Sequence, residues 1–324
     1  MRLHFVQDVR ESQTAAMKKQ FTQIHWDDAL ADHCRQLVRL AVREDLEREV
    51  DWTTAALIPR EAVATATIVS RAAGVAAGLA TIELLFEEMD IQANCRFFAQ
   101  DGDSLSKDAK LVELSMSARD LLTAERLILN FVGHLSGIAT LTRKFVEAVA
   151  GAEAKIYDTR KTTPGWRRLE KYAVRCGGGC NHRSGLFDAV LIKDNHLAIA
   201  AAQSVVADPA KAVELARQFL VDMSSRHPDL HEMIVEVEVD TLDQLRDVLP
   251  ADPDVILLDN MTPPALREAV ALRNQLNSSV ELEASGGITL DNVRDVADTG
   301  VERISIGAIT HSAQNLDVGL DWEA

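Results

Sequence analysis

The chain has no uninterrupted run of about 18 apolar residues, the length that a membrane-spanning helix requires. Residues 1–10 also lack the apolar segment that a secretory signal peptide carries. Cysteine is scarce, with four residues in 324, and these show no disulfide framework: Cys34, Cys95, Cys176 and Cys180. We therefore expect a protein of a reducing cytoplasm that has no membrane partner.

Basic residues are outnumbered by acidic ones, 34 to 50, and the formal net charge is −16. This balance argues against general nucleic-acid binding, so we expect no nucleic-acid partner. Residues 160–193 are the exception, because they hold eight basic residues and two acidic ones, a net charge of +6. A cationic segment in an acidic protein indicates a site for a small polyanion. For Arg167, Arg168 and Lys171 the alternative is a solvated helix face.

Before residue 150 the pattern predicts an α+β region. Apolar spacing predicts an amphipathic helix over Trp26–Arg48, and alternation with β-branched residues predicts a strand over Ala62–Arg71. A long helical zone covers Leu121–Ala150, and we expect a break in it near Gly133 and Gly137.

After residue 153, short apolar runs alternate with helical segments, two of which we predict over Ala198–Met223 and Leu290–Asp298. The runs are Ala154–Tyr157, Ala189–Ile192, Met233–Val239, Val255–Leu258, Val280–Ala284 and Arg303–Ile306. Strands alternating with helices predict a parallel sheet, and polar residues after successive strands are typical of a (β/α) barrel mouth. Six strands predict an incomplete barrel. A doubly wound sheet is the alternative, which the absence of G-x-G-x-x-G after the first strand disfavours.

Three acidic residues stand on two neighbouring predicted strands. Side chains alternate along a strand, so Glu236 and Glu238 point to the same face, and Asp259 ends the next strand. Buried carboxylates need a cation or hydroxyl groups beside them, and Mg²⁺ prefers such oxygen ligands. Glu238 and Asp259 are therefore candidate magnesium ligands. A buried ion pair with the basic cluster is the alternative.

Two glycine clusters follow the last two predicted strands. Ser285-Gly286-Gly287 precedes a predicted helix, and Ile306-Gly307-Ala308 ends the last strand. Small residues let backbone N–H groups approach a phosphate closely, and barrels often bind phosphate in these loops. Ordinary tight turns are the alternative.

Two other chemistries are weaker explanations of the central segment. Cys176, Cys180 and His182 offer at most three zinc ligands, at a nonstandard spacing, so His182 beside Arg183 is better interpreted as anion-binding. Lys193 at a strand end could form a Schiff base, which would leave the other cations unexplained.

The segment 158–196 reads DTRKTTPGWRRLEKYAVRCGGGCNHRSGLFDAVLIKDNH, and it closely resembles the signature of the quinolinate phosphoribosyltransferase family. Five further segments resemble parts of the same family and occur in the same order. They are ERLILNFVGHLSGIAT (125–140), EVEVDTLDQL (236–245), ILLDNM (256–261), EASGGIT (283–289) and ISIGAITHS (304–312). The likeness runs from about residue 28 to the end of the chain.

The resemblance implies an α/β sandwich domain over residues 28–132 and an open α/β barrel over 133–310, whereas residues 1–27 form an extension that departs from the compact family pattern. Residues 311–324 are expected to pack back on the sandwich domain. The resemblance also implies a homodimer. The implied reaction is a step of NAD biosynthesis, in which quinolinate and 5-phosphoribosyl-1-pyrophosphate give nicotinate mononucleotide, pyrophosphate and CO₂. Alternatives are a related transferase for nicotinate or another anionic ring, and a non-catalytic metabolite-binding homologue.

Site residues carried over from the family fall into three groups. The quinolinate carboxylate binders are Arg126, expected from the neighbouring subunit, and Arg160, His182 and Arg183; Thr159 is a further substrate-binding residue. Lys161, Lys193, Glu238 and Asp259 match the reacting centre, the last two at the ribose and Mg²⁺. The 5-phosphate loops are Ser285, Gly286, Gly287 and Ile306, Gly307, Ala308.

Overall fold

The computed structural model describes residues 19–277 and 279–322, except the side chain of His231. Its amino-terminal elements are α1 (Asp28–Leu46), α2 (Trp52–Leu57), β1 (Val63–Ser70), β2 (Gly74–Val75), α3 (Ala80–Glu88), β3 (Ala93–Phe97), β4 (Ser104–Leu105), β5 (Lys110–Ser117) and α4 (Ala118–Ala148). These are followed by β6 (Lys155–Tyr157), α5 (Arg167–Cys176), β7 (Ala189–Ile192), α6 (Asp194–Ala202), α7 (Pro209–Ser224), β8 (Ile234–Val239), α8 (Leu242–Val248), β9 (Val255–Asp259), α9 (Pro263–Leu276), β10 (Glu281–Ser285), α10 (Val293–Ala297), β11 (Arg303–Ser305), α11 (Ala308–His311) and β12 (Val318–Trp322). Short 3₁₀ helices cover Pro228–Glu232 and Leu249–Ala251.

The amino-terminal half contains an antiparallel sheet in the order β12-β1-β5-β3. Its edge strand β12 comes from the carboxyl end of the chain and pairs with β1 from Ala66 to Ser70. Helix α1 packs against this half through Leu30, Cys34 and Val38, which follow one another at one-turn spacing on a single face. The sheet and helices produce the α+β organisation that the sequence predicts.

Helix α4 is continuous, so the predicted break near Gly133 and Gly137 is wrong. The two glycines instead allow the chain before β12 to lie directly on the helix. Leu316 N–H donates to the carbonyl of Gly133 at 2.9 Å, and a Cβ on Gly137 would overlap the carbonyl oxygen of Gln314. Backbone contact of this kind requires residues without side chains. The predicted boundary between residues 132 and 133 lies inside this helix.

The second half forms a six-stranded sheet in the order β6-β11-β10-β9-β8-β7, in which every pairing is parallel. β6 and β7 lie at the two edges, so the described strands form an open barrel rather than a closed one. The predicted fold class, an incomplete (β/α) barrel with an amino-terminal α+β sandwich, is confirmed. Apolar residues such as Val235, Val237 and Val239 are buried, and the residues between them form the inner face.

Two predicted helices of this half differ from those observed. The single helix predicted over Ala198–Met223 is two helices, α6 and α7, because Asp208 caps a new helix whose first residue is Pro209. The helix predicted from Leu290 begins at Val293, since residues 290–292 form turns. Among the described residues, no helix combines the length and apolar character needed to cross a membrane.

Candidate active site

A cavity of about 550 Å³ opens at the carboxyl ends of the parallel strands. Fourteen of the fifteen residues that the sequence predicts for the site line it, namely Thr159, Arg160, Lys161, His182, Arg183, Lys193, Glu238, Asp259, Ser285, Gly286, Gly287, Ile306, Gly307 and Ala308. The strands gather these residues because the carboxyl ends of parallel strands meet at one edge of a sheet. The fifteenth, Arg126, is not among the lining residues.

Acidic and basic groups meet at the cavity wall where β7, β8 and β9 end. Lys193, which follows β7, forms an ion pair with Glu238 of β8. Asp259, the last residue of β9, accepts a hydrogen bond from the side-chain amide of Asn260 at 2.7 Å. The lysine therefore has a carboxylate partner in the site. That ion pair accounts for Lys193 without the Schiff-base alternative.

A fully buried network fixes the loop that carries His182 and Arg183. Lys171 forms an ion pair with Asp158 and also donates to the carbonyl of His182 at 2.9 Å. Asp158 accepts further bonds from the side chain of Asn181 at 2.7 Å and from His182 N–H at 2.8 Å. Burial lowers the pKa of Lys171 and raises that of Asp158, and their mutual attraction opposes both shifts. A solvated helix face is therefore the wrong description of Lys171.

His182 lies between the cavity and two buried carboxyl groups. Its Nε2 is 3.1 Å from Glu236 Oε2 and 3.5 Å from Glu283 Oε1, while its Nδ1 accepts the N–H of Arg183 at 2.8 Å. The accepting Nδ1 indicates that the ring proton resides on Nε2. Burial lowers the pKa of His182, but the two carboxylates outweigh it and raise that pKa. Burial raises the pKa of Glu283, and Glu236 raises it further.

The same three residues form the grouping of possible metal ligands found within the described part of the chain, and it contains no cysteine. The described Cys176 and Cys180 are free thiols, and burial raises the pKa of Cys176 to about 12. Neither cysteine belongs to that grouping of possible ligands. The cysteine chemistry of the zinc alternative is therefore unsupported.

Arg160 and Arg183 bring like charges together on the basic side of the cavity. Burial lowers the pKa of Arg183, and the neighbouring Arg160 lowers it further. The buried Nε of Arg160 has no hydrogen-bond partner among the residues described. Two arginines that repel each other, one with an unsatisfied donor, are stabilised by an anion that accepts their hydrogen bonds.

The two glycine clusters are neighbours because β10 and β11 pair in parallel, with Ser285 opposite Ser305. Gly286 has a φ of +90°, and a Cβ there would overlap the side chain of Asn260. Only glycine fits this conformation and this close approach. Because α10 starts at Val293, the first cluster does not lie at a helix terminus. Phosphate binding there would depend on loop N–H groups rather than on a helix.

Arg126 occupies an exposed position on α4, outside its own chain's cavity. Other lining residues were not selected from the sequence: Leu191, Leu257, Glu283, Ile288, Thr289, Ser305 and His311. Alternation along the strands could have identified Glu283 and Ser305, because each lies on the inner face of its strand. No such alternation could have identified His311, which lies six residues after the end of β11.

Comparison with known proteins extends these observations over the whole chain. The family model described as "Quinolinate phosphoribosyl transferase, C-terminal domain" matches residues 138–321, and the corresponding N-terminal domain matches residues 51–136. "Nicotinate-nucleotide pyrophosphorylase [carboxylating]" of Mycobacterium leprae is 45% identical over 296 residues, covering 91% of this chain and 99% of that protein. "Probable nicotinate-nucleotide pyrophosphorylase [carboxylating]" of Bacillus subtilis is 43% identical over 256 residues, covering 79% and 82%. The solved nicotinate-nucleotide pyrophosphorylase from Francisella tularensis superposes with a TM-score of 0.82 at 35% identity, covering 94% of this chain and 100% of that one.

An open α/β barrel with cationic and acidic residues at its mouth defines a phosphoribosyltransferase of the barrel type. The two matched domains and the relatives make the family specific. The chain belongs to the quinolinate phosphoribosyltransferase family and is an enzyme of NAD biosynthesis.

Proposed function

We propose that this enzyme transfers the phosphoribosyl group of 5-phosphoribosyl-1-pyrophosphate to the ring nitrogen of quinolinate, with loss of CO₂. The products are nicotinate mononucleotide and pyrophosphate. The observation that carries this proposal is one cavity in which four cations, Arg160, Lys161, Arg183 and Lys193, share the wall with Glu238 and Asp259. Quinolinate has two carboxylates, and the donor has a phosphate and a pyrophosphate, so both substrates need such cations.

Arg160, Arg183 and His182 form the quinolinate end of the proposed site. Arginine binds planar carboxylates through two parallel hydrogen bonds, which fixes the plane of the pyridine ring as well as its position. The unsatisfied Nε of Arg160 supports this role. Binding both carboxylates would orient the ring nitrogen toward the ribose and would reject analogues that lack one carboxylate.

Lys161, Lys193 and the two carboxylates form the reacting end. When pyrophosphate leaves, positive charge develops on the ribose, and the carboxylates of Glu238 and Asp259 can stabilise it. The two lysines can bind the departing pyrophosphate. Once the ring nitrogen is bonded to ribose, its positive charge stabilises the carbanion that remains at the ring's 2-position when CO₂ leaves, and a proton from solvent then takes the place of the carboxylate. The loops around Gly286 and Gly307 would bind the 5-phosphate through backbone N–H groups.

Glu238 and Asp259 also fit a magnesium ion. Both offer carboxylate oxygens at the cavity wall, the donor type that Mg²⁺ prefers, and Mg²⁺ is commonly held by one or two carboxylates together with substrate phosphates. When bound, Mg²⁺ would supply charge that offsets the negative charge of the pyrophosphate. The proposed arrangement allows ligation through water or substrate as well as directly.

We further propose a homodimer in which Arg126 completes the partner's site. Its exposure on α4, away from its own cavity, is consistent with a role across an interface. A reducing cytoplasm is the proposed location, because the described cysteines are unpaired.

Release of CO₂ and pyrophosphate from quinolinate plus the phosphoribosyl donor tests the proposed reaction. Nicotinate is the matched control, since it is the same ring with one carboxylate fewer. A site built to bind both carboxylates should favour quinolinate in kcat/KM by several orders of magnitude, about 10⁴-fold. Comparable values for the two acids would support a transferase of broader specificity. Binding of both substrates without turnover would indicate a binding homologue.

A further inference from the structure

Residues 19–24, which we call the amino-terminal strap, close the floor of the barrel. Phe21 packs against Ala189, Ile234 and Val255, which are the first residues of β7, β8 and β9. Lys19 Nζ donates to the carbonyl of Met233 at 3.0 Å, directly before β8. The strap therefore lies at the amino ends of the strands, whereas the cavity opens at their carboxyl ends.

Phe21 contacts the candidate site from this floor. Phe21 is 3% exposed, and its ring centroid lies 4.2 Å from that of His182 with 32° between the ring planes. The guanidinium of the buried Arg303 lies 5.2 Å from the same ring. Since His182 also lines the cavity, its imidazole connects the strap to the substrate space.

The strap is bonded to the loop that carries His182. The side chain of Gln23 donates to the carbonyl of Asn181 at 3.1 Å and accepts its N–H at 2.8 Å. Ile24 N–H donates to the side chain of Asn181 at 2.7 Å. Asn181 precedes His182 directly, so these three bonds and the Phe21 contact hold the same short stretch of backbone and its imidazole.

We propose that the strap is a positioning element of the active site, in which Phe21 fixes the His182 imidazole and, through the bond from its N–H to Nδ1, the backbone of Arg183 at the quinolinate end of the site. This inference rests on the proposed function, in which His182 binds quinolinate. The strap precedes residue 51, where the match to the family's amino-terminal domain begins.

Packing explains why an aromatic residue is needed. The two nitrogens of His182 are held by Glu236 and by the N–H of Arg183, but these bonds leave the faces of the ring free to tilt. A flat ring 4.2 Å away limits that tilt. A branched aliphatic side chain would fill part of the volume without providing a flat surface, and the imidazole and the backbone of Arg183 bonded to it would then sample positions that bind quinolinate poorly.

Kinetics of full-length variants test the proposal. Phe21→Leu should raise KM for quinolinate about tenfold, the effect of losing about 1.4 kcal/mol of binding. KM for the phosphoribosyl donor should stay near the wild-type value, because its loops lie on other strands. Gln23→Ala, which loosens the strap but keeps the ring, should raise KM for quinolinate by a smaller factor. Phe86→Leu is the matched control, since Phe86 is similarly buried on α3, away from the cavity, and it should change neither KM.

The comparison separates positioning from general destabilisation. Thermal unfolding shows whether each variant is folded. If Phe21→Leu does not fold, the KM values of Gln23→Ala test the proposal by themselves. Unchanged KM for quinolinate in the folded strap variants, or an equal rise in both KM values, would overturn the proposal. A wild-type enzyme without turnover of quinolinate would overturn the proposed function instead.

Discussion

Lys193 and Glu238 form an ion pair across neighbouring strands, in which the lysine side chain is 41% exposed and the carboxylate side chain 9% exposed. An ion pair with one member this exposed to solvent contributes about 0–1 kcal/mol to stability. The pair is therefore a weak structural element. Its position at the cavity wall instead indicates that the two charged groups are placed to bind a substrate.

Glu238→Gln should separate these two roles. We expect a fall in kcat on the order of 10²-fold, comparable to removing one preorganised electrostatic group, and a change of less than about 1 kcal/mol in the free energy of unfolding. The measurements are steady-state kinetics and urea denaturation. Near-normal turnover combined with a large loss of stability would show that Glu238 serves mainly to neutralise Lys193.

Asp259→Asn should affect both turnover and the requirement for magnesium. The amide keeps the shape of the side chain but loses its charge, so kcat should fall on the order of 10²-fold. The Mg²⁺ concentration that gives half-maximal activity should rise. A buried carboxylate that only neutralised bases would instead cost about 3–5 kcal/mol of stability on removal. A sharply lowered melting temperature with near-normal kcat and Mg²⁺ dependence would exclude the catalytic role.

Mixing inactive subunits should reveal whether Arg126 acts across a dimer interface. Arg126→Ala and Lys161→Ala subunits, reassociated together, would form heterodimers with one intact site, giving about a quarter of wild-type activity if pairing is random. Arg160→Ala mixed with Lys161→Ala is the matched control, since both residues line the same chain's cavity and no intact site can form. Absence of recovery in demonstrably mixed dimers would place Arg126 in its own subunit's site.

Much of the barrel could be predicted because its determinants are local. The strands of the second half lie within about two residues of the predicted runs, since each is a short apolar segment bounded by polar residues. Parallel pairing then fixes where polar residues after each strand meet. That single rule brings Lys193, Asp259 and Ser285 to one cavity, although they are far apart in the chain.

Features that depend on contacts between distant segments could not be predicted. Gly137 in a helical sequence indicates a break unless the position of Gln314 is known. Lys171 on an amphipathic helix indicates a solvated face, and its partner Asp158 becomes apparent only when α5 packs beside β6. Phe21, in a polar segment, gives no sign that it packs beneath His182.

The pH dependence of stability should change when Glu283 is replaced. Burial, and then Glu236, raise the pKa of Glu283 above its ordinary 4.5, while His182 opposes the shift. The folded state therefore binds this proton more tightly than the unfolded state. Wild-type stability should fall as the pH rises from about 4.5 through the raised pKa.

Glu283→Gln cannot titrate at this position, so its stability relative to the wild type should increase with pH over that window. Chemical denaturation at a series of pH values measures the difference. Glu268→Gln, at an exposed position of α9, is the control and should show no such trend. If the free energy of unfolding of Glu283→Gln and of Glu268→Gln depended on pH in the same way, Glu283 would not be the titrating group.

Gly137→Ala should destabilise the protein, although alanine is the better helix former. In a free helix the change would stabilise by about 1 kcal/mol. Here the added Cβ would overlap the carbonyl oxygen of Gln314, and backbone atoms cannot rotate away as a side chain can. Overpacking of this kind costs about 1–3 kcal/mol. The segment leading to β12 would have to move away from α4, which weakens its pairing with β1.

Gly133→Ala provides the graded comparison, because its Cβ would lie 3.1 Å from the carbonyl oxygen of Leu316 and needs only a small shift. We expect Gly137→Ala to lower the midpoint of urea unfolding and Gly133→Ala to change it by a smaller amount. Amide hydrogen exchange should then be faster in β12 than in the parallel sheet, since β12 is the edge strand attached through this contact. A stabilised Gly137→Ala protein would show that the carboxyl-terminal segment does not rest on α4 as described.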